Sequence, residues 1–430
     1  MTETVTTAYR VLDEAALRAL LAGVPHVAAV LGGTPAAWSV CEVGDGNLNQ
    51  VFLVKGPAGG VCAKQALPYV RAAGESWPLK PIRAFYEYCC MMAHGPHAAG
   101  HAPDVYHFEP ALYLIVMELL QPHIIMRRGM IAGTRYPCFA AHIGDYMART
   151  LFFTSDLALR AAEKKAQMTI FCGNTELCKI TEDLIFTDPY TACDRNRWTS
   201  PQLDGIAAAF RGDAALKAAV SELKLRFMAD AQALLHGDLH TGSVMVTETD
   251  TRVIDPEFAF YGPMGFDVGA VIGNLLINYF AQDGHATADD PRDAYQAWVL
   301  QTVRDVWTGF AAKFAALWET DRTGGAYPRA LFEDAGDRDA LRAARRAYMA
   351  ALYRDTLRFG AAKMIRRILG FAHNIDLDWI ADADMRALCE TRCLRLARAM
   401  LVEPQRFGSI DVLTDAAVRT RSTITSLTGT

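Results

Sequence analysis

The chain has 430 residues, 51% hydrophobic and 21% charged, with 43 Lys and Arg against 48 Asp and Glu for a net charge of -5. That length is too great for one ordinary core and suits two or three packed units; the composition excludes a largely disordered chain, and the acidic balance argues against nucleic acid as a partner. No apolar run reaches the ~18 residues of a membrane span, and the ten Cys show no paired zinc-type spacing, so they read as reduced, mostly buried thiols of a cytoplasmic protein that does not meet the membrane.

Residues 11–31 read as an amphipathic helix, with Leu17, Leu20, Leu21 and Val24 at helical spacing and Asp13 as N-cap. Residues 38–66 then read as three short strands, 38–43, 51–55 and 61–65, separated by the turns Gly44-Asp45-Gly46-Asn47 and 56–60. Short strands joined by tight turns imply an antiparallel meander. A helix follows over 81–93, with Ile82, Phe85, Tyr86 and Cys89 on one face, and an apolar strand over 110–120 ends at Glu118. The remainder is mostly helical: 139–169, 175–185, 202–233, 264–281, 291–319, 338–369 and 383–401. Residues 268–281 read as a buried helix, being too short to span a membrane and carrying Asn274 and Asn278. The exception is 234–262, which has short β runs and unusual polar density. Charge clusters at Arg342, Arg345 and Arg346 and at Glu163-Lys164-Lys165 read as solvated helix faces.

The chemistry concentrates in that exception. Leu234-Leu235 leads into His236-Gly237-Asp238-Leu239-His240, a buried approach that ends in a carboxylate on a loop. Downstream, Val253-Ile254 leads into Asp255-Pro256-Glu257; on an extended segment two carboxylates at i and i+2 point the same way. Phosphoryl transfer needs positioning and charge neutralisation more than covalent help. Mg2+ takes carboxylate oxygens together with ATP phosphates, and a further carboxylate must hold the acceptor hydroxyl and take its proton. A lone Asp in a loop is usually a turn former; it is the joint pattern that points to catalysis.

The upstream half agrees. Lys64 sits inside the apolar run Val61-Cys62-Ala63-Lys64, where an unpaired ammonium would be costly. There it can reach ATP phosphates and pair with a Glu, Glu87 first and Glu75 second. Gly44 allows close backbone approach to a phosphate, and Asn47 offers an amide donor. Glu118, Leu119 and Leu120 close the last strand, where backbone can pair with an adenine edge.

This order of Gly-containing turn, strand Lys, helix Glu, H-G-D-x-H and D-x-E resembles the protein-kinase-like superfamily in its aminoglycoside phosphotransferase branch. Within it, three strings are similar to the methylthioribose kinase family: 236–243, then 255–263 with Gly265-Phe266-Asp267, and the paired Arg366-Arg367 inside 363–370. The metal-binding Asn that usually follows the catalytic Asp is here Ser243, and the turn lacks a full G-x-G-x-x-G.

The resemblance implies an α+β, two-lobed fold. An N-terminal lobe, 1–117, would hold the small antiparallel sheet and a helix, and a helical C-terminal lobe, 118–430, would hold the catalytic and metal loops and the sugar site. It implies ATP held by Gly44, Asn47, Lys64, Glu118, Leu119, Leu120, Asp255, Pro256 and Glu257, Mg2+ on Asp255 and Glu257, and Asp238 facing the C1 hydroxyl of methylthioribose. Arg366 or Arg367 would bind substrate or the transferring phosphoryl, the flanking Met364, Ile365, Ile368 and Leu369 marking a largely buried helix. It also implies a homodimer, and as alternative acceptors 5-deoxyribose, choline or an aminoglycoside.

Overall fold

A computed structural model describes residues 9–43, 48–70 and 74–426; Gly44 and Asn47, and the side chain of Glu75, lie outside what it describes. The fold is α+β and two-lobed. The first lobe is built on a five-stranded antiparallel sheet of β1 (Ser39–Val43), β2 (Asn49–Lys55), β3 (Gly60–Ala66), β6 (Val105–Glu109) and β7 (Leu114–Glu118), in the order β1-β2-β3-β7-β6. A small hairpin, β4 (Tyr69–Val70) with β5 (Gly74–Pro78), follows β3.

Strand alternation decides what each face of this sheet meets. Val61, Ala63, Leu114 and Val116 pack with Leu17, Leu21, Val27 and Leu31 of the N-terminal helices. The intervening Cys62, Ala66, Ile115 and Met117 pack with Ala84 and Met91 of the helix Arg83–His94. Lys64 shares this second face, because residues i and i+2 of a strand point the same way.

The second lobe holds the large core, in which Phe266, Ile272, Leu276, Phe310, Phe359 and Ile365 are fully buried. Its small β elements carry the polar loops. β9 (Ala233–Leu235) pairs with β12 (Phe260–Gly262), and β10 (Val244–Val246) pairs with β11 (Thr251–Val253) and with β8 (Ile124–Ile125).

Several elements differ from expectation. The opening helix is two, Glu14–Ala22 and Pro25–Leu31, bent by 108°, since Pro25 cannot continue the first. The expected helices 139–169 and 202–233 are each broken, at Ser155 and at Asp213; the Asp213 side chain instead caps the helix Ala214–Ala229. The strand expected over 110–120 is only Leu114–Glu118, preceded by a turn through Tyr113 at φ 48°, and β6 went unread. Among the described residues no single helix is long and apolar enough to cross a membrane, and 268–281 is indeed a buried helix.

Three readings of side chains are corrected. Only Cys90, Cys389 and Cys393 of the ten free cysteines are fully buried, while Cys41 and Cys172 are exposed. Lys164 is not on a solvated face: it is buried, pairs with Asp156 and donates to Ala231 O at 2.6 Å. Arg345 lies over the Trp318 ring at 5.8 Å, covering apolar surface with its stem.

Candidate active site

The Lys64 ammonium donates to Glu87 Oε1 at 2.8 Å and also pairs with Asp255. Burial by itself would lower its proton affinity, but Asp255, Glu87 and Glu257 together outweigh burial and hold it above the ordinary lysine value. Glu87 is fully buried, and burial raises its carboxyl against the pull of Lys64, with Asp255 and Glu257 adding to the rise. Glu87, Asp255 and Glu257 each present an oxygen within 4.8 Å of the others, so one ammonium from the sheet meets three carboxylates.

Asp255 and Glu257 do not converge by extended alternation. Asp255 has φ 70°, in the left-handed region, so the chain turns at this residue. Glu257 is then fixed from the first lobe: Asn49 Nδ2 donates to its Oε2 at 2.9 Å, and Arg83 Nε lies 3.4 Å from the same oxygen. Arg83 also donates to Asn49 Oδ1 at 2.9 Å, closing a ring of contacts that leaves the other Glu257 oxygen for a ligand. Three hard oxygen donors of this kind suit Mg2+.

Asp238 follows β9 through Gly237, whose φ of 86° no ordinary side chain adopts readily; a Cβ there would stand 2.1 Å from Phe258 O. The loop is held from below by the buried Asp267, which accepts from His236 N at 2.7 Å and Gly237 N at 3.1 Å. His236 Nε2 reaches Ile254 O at 2.9 Å, so the Asp238 loop and the Asp255 loop are tied directly together.

His240 Nε2 lies 3.3 Å from Asp238 Oδ2. Its Nδ1 accepts from Gly242 N at 3.0 Å, which places the ring hydrogen on Nε2, aimed at Asp238. Burial holds His240 down to about 4, so this donor is a neutral imidazole at neutral pH. Lys363 Nζ stands 3.6 Å from Asp238 Oδ1 and 3.9 Å above the Phe266 ring. Burial alone would raise the Asp238 carboxyl, yet His240, Lys363 and Arg367 hold it well below the usual carboxylate range.

Arg366 and Arg367 lie in the last turn of the helix Arg338–Leu369. Arg367 is buried and donates to Ala372 O at 3.0 Å; Arg366 is half-buried, and its Nε has no partner. Burial, with Arg367 and Arg127 nearby, pushes Arg366 below the usual arginine range, though a guanidinium still stays charged. Of the three backbone positions expected for adenine, Glu118 N is already committed to Asp104 O at 2.8 Å, and its carboxylate pairs with Arg252 at 3.1 Å. That commits one donor of Glu118; the rest of its backbone, with Leu119 and Leu120, keeps the expectation.

A sequence profile described as "Phosphotransferase enzyme family" matches residues 39–310. Methylthioribose kinase 1 of Oryza sativa subsp. japonica is 50% identical over 405 residues, 94% of each chain. Methylthioribose kinase of Escherichia coli O45:K1 is 45% identical, over 90% of this chain and 92% of that one. The chain belongs to the methylthioribose kinase family. A solved choline kinase from Cryptosporidium parvum Iowa II aligns over 91% of this chain and 98% of that one, at 11% identity and a TM-score of 0.45.

In this member of the methylthioribose kinase family, sequence reasoning missed Asn49, Arg83, Arg127 and Lys363. Arg83 was findable: it sits at i-4 from Glu87, so the apolar helix Arg83–His94 buries two opposite charges on one face. Lys363 had a weaker signal, a single lysine inside the small and apolar run 359–365 of its helix, four residues before Arg367. Arg127 had none, because its partners Thr241, Asn274 and Asp376 come from three distant segments.

Proposed function

We propose that this chain transfers the terminal phosphoryl group of ATP to the C1 hydroxyl of 5-methylthioribose, giving 5-methylthioribose 1-phosphate in methionine salvage. The observation that carries this reading is the joining of two loops through His236 and Ile254, one ending in the ionised Asp238 and the other in Asp255 and Glu257 beside Lys64. Family membership selects the sugar.

In this reading Asp238 faces the C1 hydroxyl, orients it in line and takes its proton as the new bond forms. Its low proton affinity suits a late proton transfer, since phosphoryl transfer needs little nucleophile activation. Lys64 contacts the ATP phosphates, held in place by Glu87. Asp255 and Glu257 hold Mg2+, which neutralises charge on the phosphates when bound. Arg366 and Arg367, with Lys363, surround the space beside Asp238 with positive charge, which suits a transferring phosphoryl or the product phosphate. The backbone of Glu118, Leu119 and Leu120 receives the adenine, with Gly44, Asn47 and Pro256 completing the nucleotide contacts. The ten free thiols fit a cytoplasmic protein, and a homodimer is the assembly that the family resemblance implies, open to sedimentation analysis.

A phosphorylation assay against methylthioribose, 5-deoxyribose, ribose, choline and an aminoglycoside tests the reading, with the product position read by NMR. Methylthioribose should give the highest kcat/KM and a 1-phosphate. A methyl in place of a methylthio group differs by only ~1–3 kcal/mol in an apolar pocket, so 5-deoxyribose is the closest rival. Equal turnover of ribose, or phosphate on another hydroxyl, would defeat it.

A further inference from the structure

Apart from the carboxylate cluster at Lys64, three metal-ligating side chains from separate segments face one another. His101 lies between the helix Arg83–His94 and β6, His142 on the helix Phe139–Phe153, and Asp250 in the turn between β10 and β11. One ligand atom of each lies within 4.8 Å of the other two. The imidazoles stack with centroids 4.4 Å apart at 28°.

The free lone pairs can be assigned from their neighbours. His101 Nδ1 lies 3.2 Å from Thr251 O, and a carbonyl only accepts, so Nδ1 carries the hydrogen and Nε2 the lone pair. A ligating imidazole typically makes this second contact to a backbone carbonyl. His142 Nδ1 is buried and has no hydrogen-bond partner, a state that native proteins rarely leave unexplained. The Asp250 carboxylate has about four acceptor positions. Three are taken, by Thr251 N at 2.8 Å, His123 Nε2 at 3.0 Å and Arg252 Nε at 2.8 Å. One remains. The Arg252 cation is also matched by Glu118 at 3.1 Å, which moderates its repulsion of a second cation.

We propose that His101, His142 and Asp250 form a site for a divalent transition-metal ion, Zn2+ by donor type. Two imidazoles and one carboxylate suit Zn2+, Ni2+ or Cu2+, whereas Mg2+ prefers the all-oxygen cluster of Glu87, Asp255 and Glu257. The ion joins the segment leading into β6 to the second lobe at the place where Val253 N already donates to His101 O at 2.7 Å. It therefore ties the two lobes together through residues separate from the Glu87, Asp255 and Glu257 cluster, and this inference does not depend on which sugar the cleft accepts.

The test is calorimetric titration of the full-length protein with Zn2+ under saturating Mg2+, comparing wild type, H142Q, H101Q and D255N. One equivalent should bind the wild type and D255N, and raise their melting temperature. H142Q and H101Q should bind it at least ~10-fold more weakly. Retention of full Zn2+ affinity by H142Q, or its loss in D255N, overturns the proposal. Should a histidine variant fail to fold, X-ray absorption at the zinc edge of the wild-type complex decides: a first shell of two imidazoles and oxygen supports the site, and a thiolate or all-oxygen shell overturns it.

Discussion

Asp238 and Asp255 are both carboxylates beside a lysine, and their surroundings give them different duties. Asp238 receives a neutral imidazole hydrogen and lies near Lys363 and Arg367, so it stays ionised and poised toward an acceptor. Replacing Asp238 by Ala should lower kcat by ~10²–10⁴ while leaving ATP affinity nearly unchanged in an equilibrium binding assay. Near-wild-type turnover would remove it from the role of base. Asp255 instead sits on Lys64 at a left-handed backbone position. Asp255→Asn should weaken Mg-ATP binding and shift a Mg2+ titration of activity to higher concentration; an unshifted titration would argue against metal ligation. Both carboxylates were legible in the sequence because their motifs are contiguous. The route by which Asp255 and Glu257 meet was not: it runs through a positive φ and through Arg83 and Asn49, contributed from the other lobe.

At the scale of elements, the pair of helices Gly265–His285 and Arg338–Leu369 sets where the cationic residues stand. They cross at glycines: a Cβ on Gly269 would lie 2.5 Å from Thr356 O, and one on Gly360 would lie 2.8 Å from Gly269 O. The second helix then carries Lys363, Arg366 and Arg367 toward Asp238. Gly269→Leu must push the helices apart, and overpacking of this kind costs roughly 1–3 kcal/mol. A lowered urea midpoint together with a reduced kcat is expected; a variant with an unchanged midpoint would show that the crossing tolerates a side chain. The apolar periodicity of 264–281 and 338–369 revealed both helices in the sequence. Their crossing depends on which glycine faces which, information that periodicity does not hold.

For the whole molecule, the helix Arg83–His94 links the lobes. Tyr86 and Cys90 pack with Phe171, Leu234 and Ala259 of the second lobe, and the buried His94 closes the link. His94 Nε2 contacts Leu234 O at 3.1 Å and Nδ1 contacts Tyr146 Oη at 3.2 Å, an arrangement filled by the neutral ring. Burial lowers His94 to about 3 from the ordinary value of 6.5. Below pH ~6.5 the unfolded chain therefore takes up a proton that the folded chain refuses, and stability falls by up to ~1.4 kcal/mol per pH unit until about pH 3. His94→Gln should flatten that acid limb in urea melts between pH 7 and 4; parallel profiles would place the acid sensitivity elsewhere.

The sequence by itself determined the strands and helices with strong periodicity, the loops bearing Asp238, Asp255 and Glu257, and the buried strand lysine, because each is written in consecutive residues. It also carried the family resemblance. Tertiary structure alone decided that Arg83 and Asn49 grip Glu257, that Lys363 stands beside Asp238, and that Lys164 is buried rather than solvated. These contacts join residues far apart in the chain, and their energy depends on burial and distance, which only the packed lobes supply.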